Sequence, residues 1–251
     1  MQLDGLNALV TGGSGDIGST IANALAEAGI NVAVSYLGRS DEADEIAQGI
    51  VRLGCRGVTV QLDQRHPDSI GSCVRSTVEQ LGGVDILVNN AGWNIGIPFS
   101  DLEALTSDIF DRVLEINLRG PYLLTRALAN ELRRHARGRV VNIASIGGIL
   151  PISSSIAYSV SKAALIHLTR CLAVALAPDV NVNCVAPGLV EGTRMARQAP
   201  DAVVDSVRSE TVLGRVGSAE DIAQQVITFC RQDAVTGQTV AADGGMPGAM
   251  R

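Results

Sequence analysis

Short apolar runs alternate along the chain with longer stretches in which apolar residues recur at every third or fourth position. The short runs are rich in β-branched residues, as in Asn31–Tyr36, which is typical of buried strands. The longer stretches have the period of amphipathic helices, and several end at a glycine such as Gly29 or Gly54. Because apolar strands alternate with helices, the pattern predicts a doubly wound α/β domain with a parallel sheet covered on both faces.

The pattern assigns all the strands and helices to a single domain over residues 1–251, without a repeat or a linker. One long helix is predicted through residues 109–132, because its apolar residues keep the helical spacing throughout. Residues 188–217 are irregular and polar, and we interpret them as a substrate lid. The predicted strands are 8–10, 31–36, 57–62, 84–88, 139–143, 180–185 and 239–242, and the other helices are 17–28, 41–53, 67–81, 158–176 and 219–230.

Charge and composition argue against several functions. The formal net charge is −6 and aromatic residues make up 3% of the chain, whereas a nucleic-acid binder normally has a basic excess and stacking aromatic side chains. Five dispersed cysteines indicate reduced thiols, and the three histidines lack the spacing of metal ligands. We see neither an apolar run of roughly 18 residues nor a signal-peptide pattern. We therefore expect a cytoplasmic protein with no metal site and no membrane or nucleic-acid partner.

A glycine-rich turn, residues 11–18, lies between the first predicted strand and the first predicted helix. Ligands of doubly wound sheets bind at the carboxyl ends of the strands, and a turn that opens a helix aims free backbone N–H groups at a phosphate. The motif alone is weak, and its place after a strand strengthens it. The residues expected to contact a dinucleotide here are Gly12, Ser14, Asp16, Ile17 and Gly18.

Lys162 is the only lysine among 20 basic residues, and it follows Tyr158 by four positions. Residues at this spacing share one helix face. Because an ammonium stabilises a nearby phenolate, we expect the pKa of Tyr158 to fall from about 10 toward the working range of an acid or base. Ser145 follows a predicted strand, where its hydroxyl would be presented beside Tyr158. A nucleophilic serine is a weaker hypothesis, since the G-x-S-x-G elbow is missing.

In these motifs the chain resembles the short-chain dehydrogenase/reductase family in its single-domain form. The resemblance covers nearly the whole chain and implies a Rossmann-like sheet and a nicotinamide cofactor. It also implies hydride transfer to a ketone or from a secondary alcohol, in a homotetramer assembled through the helices at 109–132 and 158–176. The matching motifs are the turn 11–18, Asp63, Asn89-Asn90-Ala91-Gly92, Asn117, Ser145, Tyr158-x-x-x-Lys162, Pro187-Gly188 and Ala242-Asp243-Gly244-Gly245.

The resemblance implies a role for each matching residue. Tyr158 donates the proton, Ser145 orients and polarises the carbonyl, and Lys162 tunes Tyr158 and contacts the nicotinamide ribose. Asn117 holds a water that completes a proton relay. The residues implied to bind the cofactor, besides those of the turn, are Asp63, Asn90, Ala91, Gly92, Tyr158, Lys162, Pro187, Gly188, Val190 and Thr193.

The end of the second strand favours NADP, with NAD as the second candidate. Enzymes that use NAD place an acidic residue there for the ribose 2′-OH, and this strand is followed by no carboxylate before Asp41. The Arg39 guanidinium and the hydroxyls of Ser35 and Ser40 are candidates for binding a 2′-phosphate.

Two positions depart from the pattern of the family. Asp16 replaces the middle glycine of the phosphate turn. Its carboxylate would repel a pyrophosphate unless it points outward or caps the helix that begins at Ile17. Thr193 lies one residue later than the threonine of the family, whose place is taken by Gly192.

The predicted substrate pocket is mostly apolar, which favours a hydrophobic ketone of modest size over a sugar. A 3-oxoacyl thioester of fatty acid or polyketide metabolism is the alternative. A carrier protein is a disfavoured partner, because residues 173–179 contain no basic side chain and only Arg137 remains nearby. The residues predicted to contact the substrate are Trp93, Ile97, Ile146, Leu150, Ile152, Leu189 and Met195.

Two other classes of function remain as alternatives. A catalytically silent nucleotide sensor or scaffold of the same fold would be expected to lose Tyr158, Lys162 or Ser145, and all three are present. A nucleotide hydrolase would need a P-loop lysine, which is missing from the turn.

Overall fold

Seven parallel strands form one sheet in the order β3-β2-β1-β4-β5-β6-β7 in the computed structural model, which describes residues 2–198 and 200–250. Helices cover both faces, so the doubly wound α/β class predicted from the sequence is confirmed. The strands are β1 (Asn7–Val10), β2 (Asn31–Tyr36), β3 (Gly57–Gln61), β4 (Ile86–Asn89), β5 (Gly138–Ile143), β6 (Val180–Pro187) and β7 (Thr239–Ala242). The helices are α1 (Asp16–Glu27), α2 (Ser40–Arg52), α3 (Pro67–Leu81), α4 (Ser107–Leu114), α5 (Gly120–Arg133), α6 (Ile156–Leu176), α7 (Arg194–Gln198), α8 (Asp201–Glu210) and α9 (Ala219–Arg231).

The central strands are buried on both sides. Successive strand residues point to opposite faces, so Val10 joins the core formed with α1 and α9, while its neighbour Leu9 packs toward α3 and α5. Both side chains are fully buried. This two-sided burial explains why the strands are continuous apolar runs in the sequence.

The chain is helical through the predicted residues 109–132, as expected, but a π-helical turn lies in the middle of this helix. α4 ends at Leu114, a π-helical turn spans Glu115–Arg119, and α5 begins at Gly120. Pro121 lies in the first turn of α5 and has no amide hydrogen to donate to the preceding turn. The apolar spacing runs through all three segments, so periodicity alone does not reveal the π-helical turn.

Residues 188–217, predicted to be irregular, contain the two short helices α7 and α8. No residue of α8 is buried. Val204 and Val207 are half-buried on one face of α8, and Val207 packs against a small apolar cluster, so the apolar stripe is only one turn long and the sequence pattern did not reveal the helix. That these residues act as a lid stays a prediction.

Length and apolar composition would allow α6 to cross a membrane, and within the described residues it alone meets that criterion. A core helix of a soluble domain meets it too. In this fold Leu165 and Leu172 of α6 pack into the core beside the sheet, whereas Val174 is 81% exposed. One face of α6 is therefore held by the domain and the other is uncovered.

The strand order creates the crevice in which the predicted site lies. β1 has β2 on one side and β4 on the other, so the chain reverses its direction of progress across the sheet at this point. The loops after β1 and β4 diverge there and leave space at the carboxyl edge. The predicted functional residues come mainly from the loops after β1, β4, β5 and β6 and from the start of α6.

Candidate active site

A cleft of about 530 Å³, here called the carboxyl-edge cleft, is lined by the turn 12–18, residues 90–94, Ser145, Tyr158 and Lys162. The residues predicted to bind a dinucleotide line it, except Ser40, together with Trp93 and Met195 of the predicted substrate set. A larger open cavity beside β7 contains none of the predicted catalytic residues. The chemistry suggested by the sequence therefore collects in one place.

Helix α6 presents Tyr158 and Lys162 on one face, one turn apart. The Ser155 hydroxyl caps the helix by accepting a hydrogen bond from the Tyr158 backbone N–H at 3.3 Å. Lys162 is 4% exposed, and its Nζ donates to the carbonyl oxygen of Ile143 at 2.9 Å. The same Nζ lies 5.6 Å from the centre of the Tyr158 ring.

Burial, rather than the nearby ammonium, governs the acidity of Tyr158. It raises the pKa of Tyr158 to about 12, and a hydrogen bond with Ser145 opposes the rise. The expected fall of this pKa is therefore corrected, because the loss of phenolate solvation outweighs the favourable interactions in the cleft. A phenol with this pKa stays protonated at neutral pH and is a proton donor.

Burial also lowers the pKa of Lys162 to about 8, because the ammonium loses its hydration inside the fold, and the neighbouring Cys184 opposes the shift. Within the described residues the Ile143 carbonyl is its one hydrogen-bond acceptor. An ammonium has three N–H donors, so donors remain for a ligand hydroxyl in the cleft.

Ser145 follows β5 directly and begins a short 3₁₀ turn. Its Oγ accepts a hydrogen bond from the Gly147 backbone N–H at 3.1 Å. The hydroxyl proton is then available to Tyr158 or to a substrate oxygen. No histidine of the described residues lines the cleft, so the histidine base of a Ser-His pair is not found there.

Asn117 lies in the π-helical turn and is fully buried. Its Oδ1 accepts from the Trp93 backbone N–H at 2.8 Å, and its Nδ2 donates to the Trp93 carbonyl at 2.9 Å and to the Ser161 Oγ at 3.0 Å. The side chain thus fixes the loop that carries Trp93. The proton relay implied for Asn117 stays a prediction.

Gln64 is a structural determinant of the site that sequence reasoning missed. It is buried, and its Nε2 donates to the Ile116 carbonyl at 2.7 Å and to the Ala91 carbonyl at 3.2 Å. It therefore joins the π-helical turn to the loop after β4. Gly120 permits this, because a Cβ there would lie 2.8 Å from the Gln64 side chain. The available signal was a polar residue directly after Asp63.

The glycine turn is shaped for close approach to a ligand. Gly12 has a φ of +61°, and a Cβ at Gly18 would overlap the Gly12 carbonyl. The Thr11 Oγ1 accepts hydrogen bonds from the backbone N–H groups of Asn90 and Ala91, both at 2.9 Å. The glycine turn therefore lies at the N-terminus of α1 without side chains that would block a ligand, and it fits the phosphates of a dinucleotide. The Asn90 Nδ2 donates to the Thr11 and Gly12 carbonyls, so this amide nitrogen supports the turn.

The residues predicted to hold a 2′-phosphate differ in their availability. Ser35 is 1% exposed, and its Oγ accepts a hydrogen bond from the Gly12 backbone N–H at 3.1 Å. This hydroxyl therefore stabilises the glycine turn and is not exposed to a ligand. The Ser40 hydroxyl donates to Asp41 at 3.3 Å. Arg39 is exposed beside Gly15 at the rim of the cleft. The geometry leaves Arg39 as the principal candidate.

Asp63 lies at the far end of the cleft and stays ionised. Arg65 donates to both carboxylate oxygens, from Nε at 3.0 and 3.2 Å and from Nη2 at 2.6 Å. These hydrogen bonds lower the pKa of Asp63, against the opposing effect of burial. The predicted contact of Asp63 with the cofactor stays a prediction.

The two positions that depart from the family pattern, Asp16 and Thr193, lie close together, because Asp16 contacts the residue that follows Thr193. α1 begins at Asp16, with Gly15 at the N-cap position, and the Asp16 carboxylate accepts a hydrogen bond from the Arg194 backbone N–H at 2.7 Å. It therefore points outward rather than capping its own helix. Thr193 is buried, and its Oγ1 donates to the Val190 carbonyl at 2.8 Å.

The predicted substrate residues divide into two groups. Trp93 and Met195 line the cleft, and the guanidinium of Arg112 stacks 4.4 Å from the centre of the Trp93 ring. Ile146 and Leu150 lie outside the lining of the cleft, in a small apolar cluster with Met246 and Ala249, and their contact with a substrate stays a prediction. The remaining three, Ile97, Ile152 and Leu189, are outside the lining of the cleft.

The depressed pKa of Lys162 predicts a pH-dependent stability difference. Replacing Lys162 with Met removes the buried ionisable group. Between pH 8 and pH 10.5 the unfolded lysine binds a proton that the folded one has lost, so wild type should gain about 3 kcal/mol of unfolding free energy relative to Lys162→Met. Below pH 8 both states are protonated and the difference should be flat. Urea unfolding of both proteins across this range checks it, and a constant difference throughout would contradict it.

Known proteins match the chain over nearly its whole length. A family model described as enoyl-(acyl carrier protein) reductase matches residues 13–247. A 3-oxoacyl-[acyl-carrier-protein] reductase of Staphylococcus epidermidis is 34% identical over 243 residues, which are 96% of this chain and 98% of that protein. A short-chain dehydrogenase of Burkholderia cenocepacia in complex with NADP is 35% identical, with a TM-score of 0.90 over 98% of this chain and 99% of that one. An NAD+-bound xylitol dehydrogenase is 28% identical, with a TM-score of 0.91 over 98% of this chain and 100% of that one. The protein therefore belongs to the short-chain dehydrogenase/reductase family.

Proposed function

We propose that the protein is an NADP(H)-dependent oxidoreductase that transfers a hydride between the cofactor and a ketone or secondary alcohol of mostly apolar character. The observation that carries this proposal is the meeting of Ser145, Tyr158 and Lys162 in a cleft that also contains a glycine turn suited to phosphates. The proposal includes a cytoplasmic location, which rests on the composition of the sequence.

The residues of the cleft donate the proton to the substrate carbonyl and orient the substrate. When bound, the nicotinamide supplies the hydride for the carbonyl carbon. Tyr158 donates its phenolic proton to the carbonyl oxygen, and its raised pKa keeps that proton in place until the transfer. The Ser145 hydroxyl holds the same oxygen. The Lys162 ammonium stabilises the phenolate left behind and offers its free N–H groups to the ribose hydroxyls.

The preference for NADP rests on Arg39. Its guanidinium lies at the rim of the cleft, and the end of β2, where a carboxylate would select NAD, has Ser35 and Tyr36 instead, with the Ser35 hydroxyl bonded to the Gly12 backbone N–H. The relative from Burkholderia cenocepacia has NADP bound, and the xylitol dehydrogenase has NAD+. NAD therefore remains the second candidate.

The proposed substrate region is bounded by apolar side chains, with the Arg112 guanidinium among them. Trp93, Met195 and Ile116 line this part of the cleft, together with Arg112. An acyl chain fits the same surroundings, so a 3-oxoacyl thioester is the second candidate substrate, and the relative from Staphylococcus epidermidis is named for that reaction. A silent sensor is disfavoured, because the catalytic set is complete.

We propose a homotetramer, with α6 at one of its interfaces. Along the uncovered face of this helix Val160 is 44% exposed and Val174 81% exposed, and the small residue Ala163 lies between them. Tyr122 of the neighbouring α5 is 43% exposed. Apolar side chains that a monomer leaves in water are typical of an interface between copies.

Tyr158→Phe should reduce turnover by about a hundredfold or more, because it removes the proton donor, and leave NADPH affinity nearly unchanged. Steady-state kinetics with a ketone panel and fluorescence titration of NADPH measure the two effects. Tyr122→Phe is the matched control and should keep full activity. Substantial activity in Tyr158→Phe would remove this residue as the acid.

Lys162→Arg should lose turnover and also bind the cofactor more weakly.

Arg39→Ala should raise the KM for NADPH by about tenfold to a hundredfold, since a charge-assisted contact to phosphate contributes about 1.5–3 kcal/mol. The KM for NADH should hardly change. Arg52→Ala, at the opposite end of α2, is the control. A wild-type preference for NADH, or an equal effect of Arg39→Ala on both cofactors, would rule out this role.

Sedimentation at micromolar concentration should give the mass of four chains. Val174→Glu should shift the protein to a smaller species, because it places a carboxylate in the proposed interface. Leu53→Glu, an exposed apolar position at the end of α2, should leave the assembly intact. A monomeric wild type would overturn the proposed assembly.

A further inference from the structure

Asp16 places a negative charge in the turn that the proposed function assigns to the phosphates of the cofactor. The carboxylate lies in the first turn of α1, where the helix dipole favours it. A pyrophosphate bound at the same helix start would be repelled by it. On charge alone, Asp16 should weaken cofactor binding.

The contacts of Asp16 lead to a different conclusion. Its Oδ2 accepts a hydrogen bond from the Arg194 backbone N–H at 2.7 Å, and its Oδ1 lies 3.5 Å from the Arg197 Nη2. The Arg197 Nη1 donates to the Gly192 carbonyl. The ion pair is exposed and contributes little by itself. The backbone bond is charge-assisted and orders only one side chain, so it is the stronger link.

Asp16 is also the point of attachment of this segment. Among the described residues, every hydrogen bond given between residues 192–197 and a part of the fold outside 190–198 ends on the Asp16 carboxylate. The preceding residues are held separately, through Glu191 N–H to the Gly217 carbonyl at 2.9 Å. Thr193 and Met195, which line the cleft, are thus fixed at their far side by one carboxylate.

We infer that Asp16 is a positioning residue that latches residues 192–197 over the phosphate end of the cleft. The latch brings Arg194 and Arg197 to the rim of the cleft, and their positive charges offset the carboxylate. Asp16 therefore strengthens cofactor retention, although it carries the same sign of charge as the ligand. The role toward the cofactor rests on the proposed function, while the latch itself does not.

The latch is tested first in the protein without a cofactor. Trypsin cuts after arginine, so residues 194 and 197 report directly on the opening of the segment. In Asp16→Ala, cleavage after these residues should accelerate about tenfold, the factor that corresponds to about 1.4 kcal/mol. Asp16→Asn keeps an acceptor for the Arg194 N–H and should stay much closer to wild type. Asp68→Ala, a matched exposed acid in the first turn of α3, should not change the cleavage rate. Equal rates in wild type and Asp16→Ala would overturn the latch.

The change in NADPH affinity of the Asp16 variants then distinguishes latching from repulsion, because the two effects change the affinity in opposite directions. Fluorescence titration should show that Asp16→Ala binds NADPH about tenfold more weakly than wild type, with Asp16→Asn near wild type. Repulsion alone predicts tighter binding in both variants, which would overturn the proposed role. If wild type binds no dinucleotide, the proposed function fails, and the proteolysis result still decides whether the latch exists.

Discussion

The site depends on one buried hydrogen bond, from the Lys162 ammonium to the Ile143 carbonyl. An ammonium that is only 4% exposed has lost most of its hydration, and such a group is tolerated only when polar partners replace the water. The bond ties α6 to the last residue of β5. Tyr158 lies one helical turn before Lys162, and Ser145 lies two residues after Ile143. The same contact thus sets the relative positions of all three side chains.

The sheet supplies the second constraint. At the switch point between β1 and β4, the loops are joined by hydrogen bonds, with the Thr11 hydroxyl accepting from Asn90 and Ala91 and the Ser35 hydroxyl accepting from Gly12. Gln64 extends this bracing to the π-helical turn. The floor of the cleft is therefore rigid, whereas the segment 192–197 is attached at few points. A rigid floor beneath a lightly held cover suits a site that must bind and release a large cofactor.

Much of this arrangement could be predicted from the sequence, because strands buried on both faces and glycine-closed helices leave strong periodic signals. The motif residues were also placed at the correct edge, since parallel strands bring their carboxyl ends together. The π-helical turn was hidden, because the apolar spacing continues through it. The hydrogen bonds of Gln64 join residues about 27 and 52 positions away in the chain, and no local pattern carries that information.

The electrostatics were the hardest part to predict. The spacing of Tyr158 and Lys162 is visible in the sequence, but the pKa of each group depends on how deeply the fold buries it. Ile146 illustrates the same limit for packing, because its contact with Met246 and Ala249 joins residues about 100 positions apart, and no local pattern shows it. Burial is a property of the whole fold, so local patterns give it only coarsely.

Hydride transfer to a carbonyl carbon is the reaction for which this cleft is proposed. It can be followed with NADPH that carries deuterium at the transferable position of the nicotinamide, a panel of apolar ketones and 3-oxoacyl thioesters, and mass spectrometry of the alcohols. We expect one deuterium bound to the former carbonyl carbon of at least one product. Tight NADPH binding with no labelled alcohol from any member of the panel would contradict it and favour a protein that senses the nucleotide.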